Sequence, residues 1–317
     1  MNSKDYGAIF ESLVEQTAEY LVKNNLKAQI LGISGGIDST VVAAICHEVS
    51  KRTNIPLIGR SLPTTNNKTN EVSTADLVGK AFCNDYKVYP IDRFYHQFMI
   101  DIVHKETGSV RYIQNELTGG FTIDLEDCLK FQTPIANGNI QARLRMIYLY
   151  NLASIHGGLV MDTDNLTENN LGYFTIHGDV GDFNPIGGLW KTEVFKLAKY
   201  IHNYYYNKAR CLEEGHFYEQ SDELALKLEA IKESLKLKPT AGLGITNNDL
   251  EEIGAESYDQ VDSILQETLR LKEKGANINT ILETLYDNSN INSDIINNVV
   301  SKHFKSEFKR KQLPIKL

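Results

Sequence analysis

The first part of the chain alternates between two hydrophobic periods. Residues 6 to 25 place Ile9, Leu13, Thr17, Tyr20 and Leu21 three and four apart, so an amphipathic helix opens the sequence. An apolar run, Ile30 to Ile33, then breaks into Ser34-Gly35-Gly36-Ile37-Asp38-Ser39, and a helical pattern takes over at Thr40. A second apolar run, Ile55 to Leu62, completes a βαβ unit, which is right-handed and implies a parallel sheet. The pattern predicts a helix over Glu71 to Phe82, a strand around Lys87 to Ile91, a helix over Asn139 to Ser154 and a short strand at Leu159 to Met161. Such alternation predicts an α/β fold, a doubly wound parallel sheet with flanking helices. Ligands of such sheets sit beyond the carboxyl ends of the strands, where the turn at 34–39 lies.

Two stretches stand outside this rhythm: about 92–130, rich in aromatics and charges, and about 204–237, which opens with Tyr204-Tyr205-Tyr206 and continues as a charged helical pattern. Both are expected as insertions, as lids, interface elements or plain surface helices, in a single domain over 1–317. Apolar content of 42% and charged content of 23% suit a soluble globular chain, and no apolar run approaches a membrane span or signal-peptide core. A cytoplasmic protein is expected. A net charge of −8 argues against a broad nucleic-acid surface. Cys46, Cys83, Cys128 and Cys211 are far apart without a C-x-x-C, so neither a zinc site nor a disulfide framework is suggested.

Chemistry concentrates in three strings. In the first, the glycines of 34–39 let the backbone approach an anion, and the helix that follows offers free N–H groups and the positive end of its dipole. The spacing matches neither G-x-x-x-x-G-K-[ST] nor G-x-G-x-x-G. Two glycines alone are compatible with an ordinary turn; the whole six-residue string after a buried strand favours a phosphate loop. The second, Gly138-Asn139-Ile140-Gln141-Ala142-Arg143-Leu144-Arg145-Met146, reads as a helix with Asn139 as N-cap. Its arginines lie two apart, so only one enters a given cleft; both could equally be solvated. The third runs from Asp162-Thr163-Asp164-Asn165-Leu166-Thr167-Glu168 to the glycine-punctuated Gly178-Asp179-Val180-Gly181-Asp182. It follows a strand, which brings Thr163 and Glu168 near the sheet edge holding Asp38, and two carboxylates there suit Mg²⁺; the glycine-punctuated stretch is equally compatible with a solvated turn.

The six-residue string resembles the PP-loop of the ATP pyrophosphatases, which have the adenine nucleotide alpha hydrolase-like fold. Together with NIQARLRM, TDNLTENNLGYFT, Lys191 in Leu189-Trp190-Lys191-Thr192-Glu193-Val194 and the turn Pro239-Thr240-Ala241-Gly242-Leu243, the chain resembles the ammonia-dependent NAD synthetases over about 30 to 260. The resemblance implies a ligase that amidates deamido-NAD to NAD through an acyl-adenylate, using ATP and ammonia and releasing AMP and pyrophosphate. It implies an ATP site of Gly32, Ile33, Ser34, Gly35, Gly36, Ile37, Asp38, Ser39, Thr163, Lys191 and Thr240, and Mg²⁺ on Asp38 and Glu168. Deamido-NAD is expected at Arg143, Asp182, Phe308 and Lys309, and catalysis at Asp38, Lys191 and Asp179, with Asp179 handling the ammonium proton. A loop over 176–188 is expected to close over the adenylate, and a homodimer is the implied assembly.

Departures from the family pattern fall at the substrate end. Ile176 stands where a lysine is common, Phe308 precedes Lys309 in place of His, Asp162 replaces a Gly, and Arg60 sits one place before the usual arginine. The match leaves no room for a glutaminase of roughly 250 residues, so free ammonia or a separate donor is implied. Three alternatives stay open: another ATP pyrophosphatase, such as a GMP synthetase-like or tRNA-modifying enzyme; a homologue adenylating a different carboxylate; and a nucleotide-binding regulator, which would be expected to lack Asp38, Glu168 or Lys191.

Overall fold

The computed structural model describes residues 4–99, 101, 112–114, 121–123, 134–214, 218–238 and 249–311. Helix α1 (Tyr6–Lys23) starts at Asp5, whose carboxylate accepts the N–H groups of Gly7 and Ala8. Strand β1 (Gln29–Gly32), helix α2 (Ile37–Thr53), strand β2 (Leu57–Ser61), helix α3 (Thr69–Phe82) and strand β3 (Asp85–Val88) follow in the expected order. The next pieces are α4 (Asp92–Phe98), an antiparallel pair β4 (Tyr112–Gln114) and β5 (Phe121–Ile123), α5 (Pro134–His156) and β6 (Leu159–Val160). The sheet has the order β3-β2-β1-β6 and every pairing in it is parallel.

Because successive strand residues point to opposite faces, the sheet feeds two layers. Leu31, Ile33 and Leu57 pack with α1, α2, α3, α7 (Lys191–Glu214) and α8 (Tyr218–Lys236) in one core. Ile30, Ile58 and Val160 pack with α4 and α5 in another. A third core joins α6 (Leu166–Leu171), α9 (Asp249–Ile253), α10 (Tyr258–Glu273), α11 (Ile278–Asn288) and α12 (Ser293–Lys305). Among the described residues no helix is long and apolar enough to cross a membrane, and Cys46, Cys83 and Cys211 are unpaired.

Four expectations shift, each for a local reason. Helix α2 begins at Ile37 rather than Thr40, which places Asp38 and Ser39 inside its first turn. Helix α5 begins at Pro134, the residue best suited to a first helical position, so Asn139 lies within it and accepts the Thr175 hydroxyl at 2.7 Å instead of capping. Strand β3 starts two residues early because the Asn84 side chain takes the Leu57 N–H at 2.8 Å and brings the chain alongside β2 at once. The 204–237 stretch is no surface appendage. It forms the end of α7 and all of α8, whose Leu224, Ala230 and Ile231 belong to the first core. Of the 92–130 stretch, only α4, Met99, Asp101, β4 and β5 are described.

Candidate active site

Residues 32–39 link β1 to α2 at the carboxyl edge of the sheet. Gly35 has φ +84°, and a Cβ there would lie 2.6 Å from the Glu71 carbonyl oxygen and 2.7 Å from the Ala75 nitrogen, so α3 admits only glycine. Within the turn Ser34 Oγ and Ser39 Oγ share a hydrogen bond of 2.9 Å, and Thr40 Oγ1 donates to the Gly36 carbonyl at 2.9 Å. The first-turn N–H groups of a helix have no carbonyl four residues back, and those of α2 face the loop with the positive end of the dipole.

A buried ion cluster stands opposite. Lys191, 1% exposed, is the first residue of α7; its Nζ lies 2.6 Å from Asp38 Oδ2 and 2.7 Å from Glu168 Oε1. Burial alone would lower its pKa, but the two carboxylates outweigh burial and hold it well above the usual lysine value. Glu168 is pushed up to about 7, by burial first, with Asp38 adding to the shift and Lys191 opposing it. Asn165 ties the cluster together: it caps α6 by accepting the Glu168 N–H at 3.0 Å and donates to Asp38 Oδ1 at 2.9 Å. The pattern Asn-x-x-Glu is a capping box readable in the sequence, yet nothing there reveals that the same amide reaches Asp38.

Asp38, Glu168 and Lys191 line a cavity of about 540 Å³ with Gly32, Ile33, Ser34, Gly36, Ile37, Ser39, Thr163, Asp179 and Lys309. Arg145, whose Nε donates to the Leu62 carbonyl at 2.9 Å, lines it too. Asp179 sits where the wall meets solvent, but the protein around it raises its pKa to about 6, chiefly by desolvation, and Thr175 N–H donates to it at 2.6 Å. A second cavity of about 780 Å³ is lined by Arg143, Tyr150, His177, Lys309, Arg310 and Lys311. Met146, Asp164, Phe174 and Lys309 belong to both walls. Lys309 is held there by the carbonyls of Gly172 and Phe174, each at 2.7 Å. The two arginines therefore do divide, Arg145 to the first cavity and Arg143 to the second.

Other expected site residues lie elsewhere. Asp182 is in neither wall: its Oδ2 accepts the Val160 N–H at 2.9 Å and its own N–H goes to the Val160 carbonyl at 2.8 Å, which fastens the 176–188 loop to β6. Phe308 is 53% exposed and in neither wall. Gly35 shapes the turn from behind rather than lining the cavity. Thr240 and the turn around it lie outside the described residues.

The profile of the NAD synthase family matches residues 9–313. The chain belongs to that family. It is 30% identical over 310 residues to the NH(3)-dependent NAD(+) synthetase of Methanocaldococcus jannaschii, covering 96% of each. It is 32% identical over 241 residues to the enzyme of the same description from Campylobacter jejuni strain 81-176, covering 74% of this chain and 85% of that one. Among solved structures, the NMN synthetase of Francisella tularensis superposes with a TM-score of 0.68 over 99% of both chains at 23% identity. The NH3-dependent NAD synthetase of Campylobacter jejuni superposes with a TM-score of 0.63 over 99% of this chain and 100% of its own, also at 23% identity. Both likenesses concern the fold. Family membership makes this chain a ligase that forms a C–N bond with ATP as co-substrate.

Proposed function

We propose that the two cavities together carry out the amidation of deamido-NAD to NAD, with ATP at the 34–39 loop, deamido-NAD in the basic second cavity and ammonia entering at their shared wall. The observation that carries the assignment is the Lys191 ammonium bridging Asp38 and Glu168 beside the first turn of α2. That arrangement opposes cationic and N–H groups to a polyphosphate. The substrate carboxylate attacks the α-phosphorus, pyrophosphate departs, and an acyl-adenylate forms. Lys191 and the loop N–H groups offset the charge gathering on the leaving pyrophosphate. Ammonia then attacks the acyl carbon and AMP leaves. At neutral pH ammonia is mostly ammonium; Asp179, at a pKa of about 6, is a base matched to its proton.

The donors also suit Mg²⁺. Asp38 and Glu168 are the carboxylates that would hold it, and in this structure Asp38 Oδ2 and Glu168 Oε1 pair with the Lys191 ammonium. Mg²⁺ favours such sites, keeping the rest of its coordination for phosphate oxygens and water. Bound there, it would supply further neutralisation of the polyphosphate.

Arg143, Lys309, Arg310 and Lys311 around the second cavity give this acidic chain a local cationic site for a dinucleotide's phosphates. A homodimer extends the proposal: Arg143, Ile147 and Tyr150 form one stripe of α5, and Ile147 and Tyr150 are 59% and 39% exposed, with Val180 nearby at 38%. Covering that apolar strip with a second copy would enclose the rim of the second cavity. A cytoplasmic setting, with reduced thiols, is part of the same reading.

The test is release of pyrophosphate and AMP from Mg-ATP with ammonium, comparing deamido-NAD, nicotinate mononucleotide, xanthosine monophosphate and no acceptor. NAD formed only with deamido-NAD is the expected result. Turnover of nicotinate mononucleotide alone would reassign the second cavity to a mononucleotide, and silence with every acceptor despite ATP binding would overturn the ligase reading.

A further inference from the structure

The first turn of α7 holds Lys191, and its four orphan N–H groups are all accounted for by groups that converge on it. Trp190 N–H donates to Glu193 Oε2 at 3.1 Å, and Glu193 N–H donates to the Trp190 carbonyl at 2.8 Å. Lys191 N–H donates to Thr167 Oγ1 of α6 at 2.9 Å, and Thr192 N–H donates to Asp262 Oδ2 of α10 at 3.0 Å. Thr167 in turn donates its hydroxyl hydrogen to Asp262 Oδ1. One carboxylate, 2% exposed, thus binds the helix directly and also holds the threonine that binds the preceding amide. Its negative charge lies at the positive end of the α7 dipole.

The same face of α10 reaches the other end of the lysine. Tyr258 lies four residues before Asp262, one helical turn away. Lys191 Nζ stands 5.6 Å from the centre of its ring, and the Tyr258 hydroxyl donates to Asp249 Oδ2 at 3.2 Å. Backbone and ammonium of one residue are therefore both referenced to α10, an element of the third core rather than of the sheet.

We propose that Asp262, with Thr167 and Tyr258, forms the positioning unit for Lys191, so that the C-terminal helices set the placement of the ammonium at the phosphate site. This rests on the role assigned above to Lys191. Thr167 and Asp262 are buried, line neither cavity and act through the lysine. Displacement of a charge-stabilising group by about 1 Å can reduce turnover about a hundredfold without a comparable loss of ground-state binding.

Thr167→Val keeps the side-chain shape and deletes the hydroxyl, Thr167→Ser restores it, Asp262→Asn removes the charge, and Tyr258→Leu removes the ring. Leu265→Ala, in the same helix but within the third core, serves as a control for loss of stability. All are assayed at a temperature where each is folded. The unit requires Thr167→Val and Asp262→Asn to lose about ten- to hundredfold in kcat, with KM for ATP within about threefold, while Thr167→Ser and Leu265→Ala stay near the native rate. A second readout needs no reaction: labelling of Lys191 by an amine-directed reagent, followed by mass spectrometry without substrates. It should speed up about tenfold or more in Thr167→Val, Asp262→Asn and Tyr258→Leu and not in Leu265→Ala. Native-like kcat and native-like labelling in Thr167→Val and Asp262→Asn would overturn the proposal. A native protein that turns over no acceptor would overturn the functional reading alone, and the labelling comparison would still decide this one.

Discussion

Lys191 is the residue on which most depends, because three charges meet there with little water. Replacing it with Met keeps much of the volume and removes the ammonium that bridges Asp38 and Glu168, so turnover should fall about a thousandfold. Rapid-quench measurement of pyrophosphate release would check this, and a loss under tenfold would contradict it. Gly35 is the other single point of failure. Gly35→Ala places a methyl against the backbone of α3 at a positive φ and should destabilise by about 1–3 kcal/mol while abolishing ATP binding; calorimetry of unfolding and of nucleotide binding reads both. At this scale much was legible beforehand. Gly36, Asp38, Ser39, Glu168 and Lys191 are chemically distinctive, and they do come together. Asp182 differs: the family resemblance implies a ligand contact, and in the structure its carboxylate bonds the Val160 N–H, 22 residues away in sequence, and the Tyr150 hydroxyl.

Among the elements, α6 is the smallest and the most consequential. Its six residues present Thr167 to α7, Glu168 to Lys191 and, from its N-cap, Asn165 to Asp38. Asn165→Ala removes the cap, worth about 1 kcal/mol, and leaves a fully buried hole beside Asp38. Thermal unfolding should record the destabilisation, and KM for ATP should rise together with a fall in kcat; an effect on stability alone would show that the amide merely caps. The capping pattern was visible in the sequence, whereas the reach to Asp38 depends on where β6 delivers the chain beside β1. The 204–237 stretch carries the same lesson. Its charges suggest a surface helix, yet the inner face of α8 supplies Leu224, Ala230 and Ile231 to the core, because a weak apolar stripe suffices when α3 and α7 are already there to receive it.

For the molecule as a whole, buried ionisable groups make stability depend on pH in two opposed ways. His47 Nδ1–H donates to the Phe82 carbonyl at 2.8 Å, and burial, reinforced by Lys227, lowers its pKa to about 4. In the unfolded chain it takes a proton near pH 6.5, so the folded state binds fewer protons between about 6.5 and 4. Its contribution is present above pH 6.5 and lost as pH falls through that window, amounting to about 3 kcal/mol. Glu168 has a raised folded pKa, so its contribution is present below its unfolded value and is lost as pH rises through about 7. Denaturant titrations at pH 4.5 and 7.5 should therefore show His47→Gln losing less stability on acidification than the native chain; equal losses would contradict the assignment. The α5 stripe gives a separate prediction. Ile147→Asp, at 59% exposure, should leave the fold intact and convert a dimer to monomer in light scattering, whereas a native protein already monomeric at micromolar concentration would remove the dimer.

By itself the sequence determined the alternation of elements, the turn at 34–39 and the family, because these depend on local period, on a glycine at position 35 that no other residue can replace, and on contiguous strings whose chemistry is fixed over a few residues. It also named the carboxylates and the lysine. Only the tertiary structure decided that Lys191 bridges Asp38 and Glu168 across 153 and 23 residues, that Asp182 secures a strand, and that α10 reaches the lysine from the far core. Those outcomes depend on the order of parallel strands and on which helix faces meet, and such long-range contacts leave no mark on the local spacing of residues along the chain.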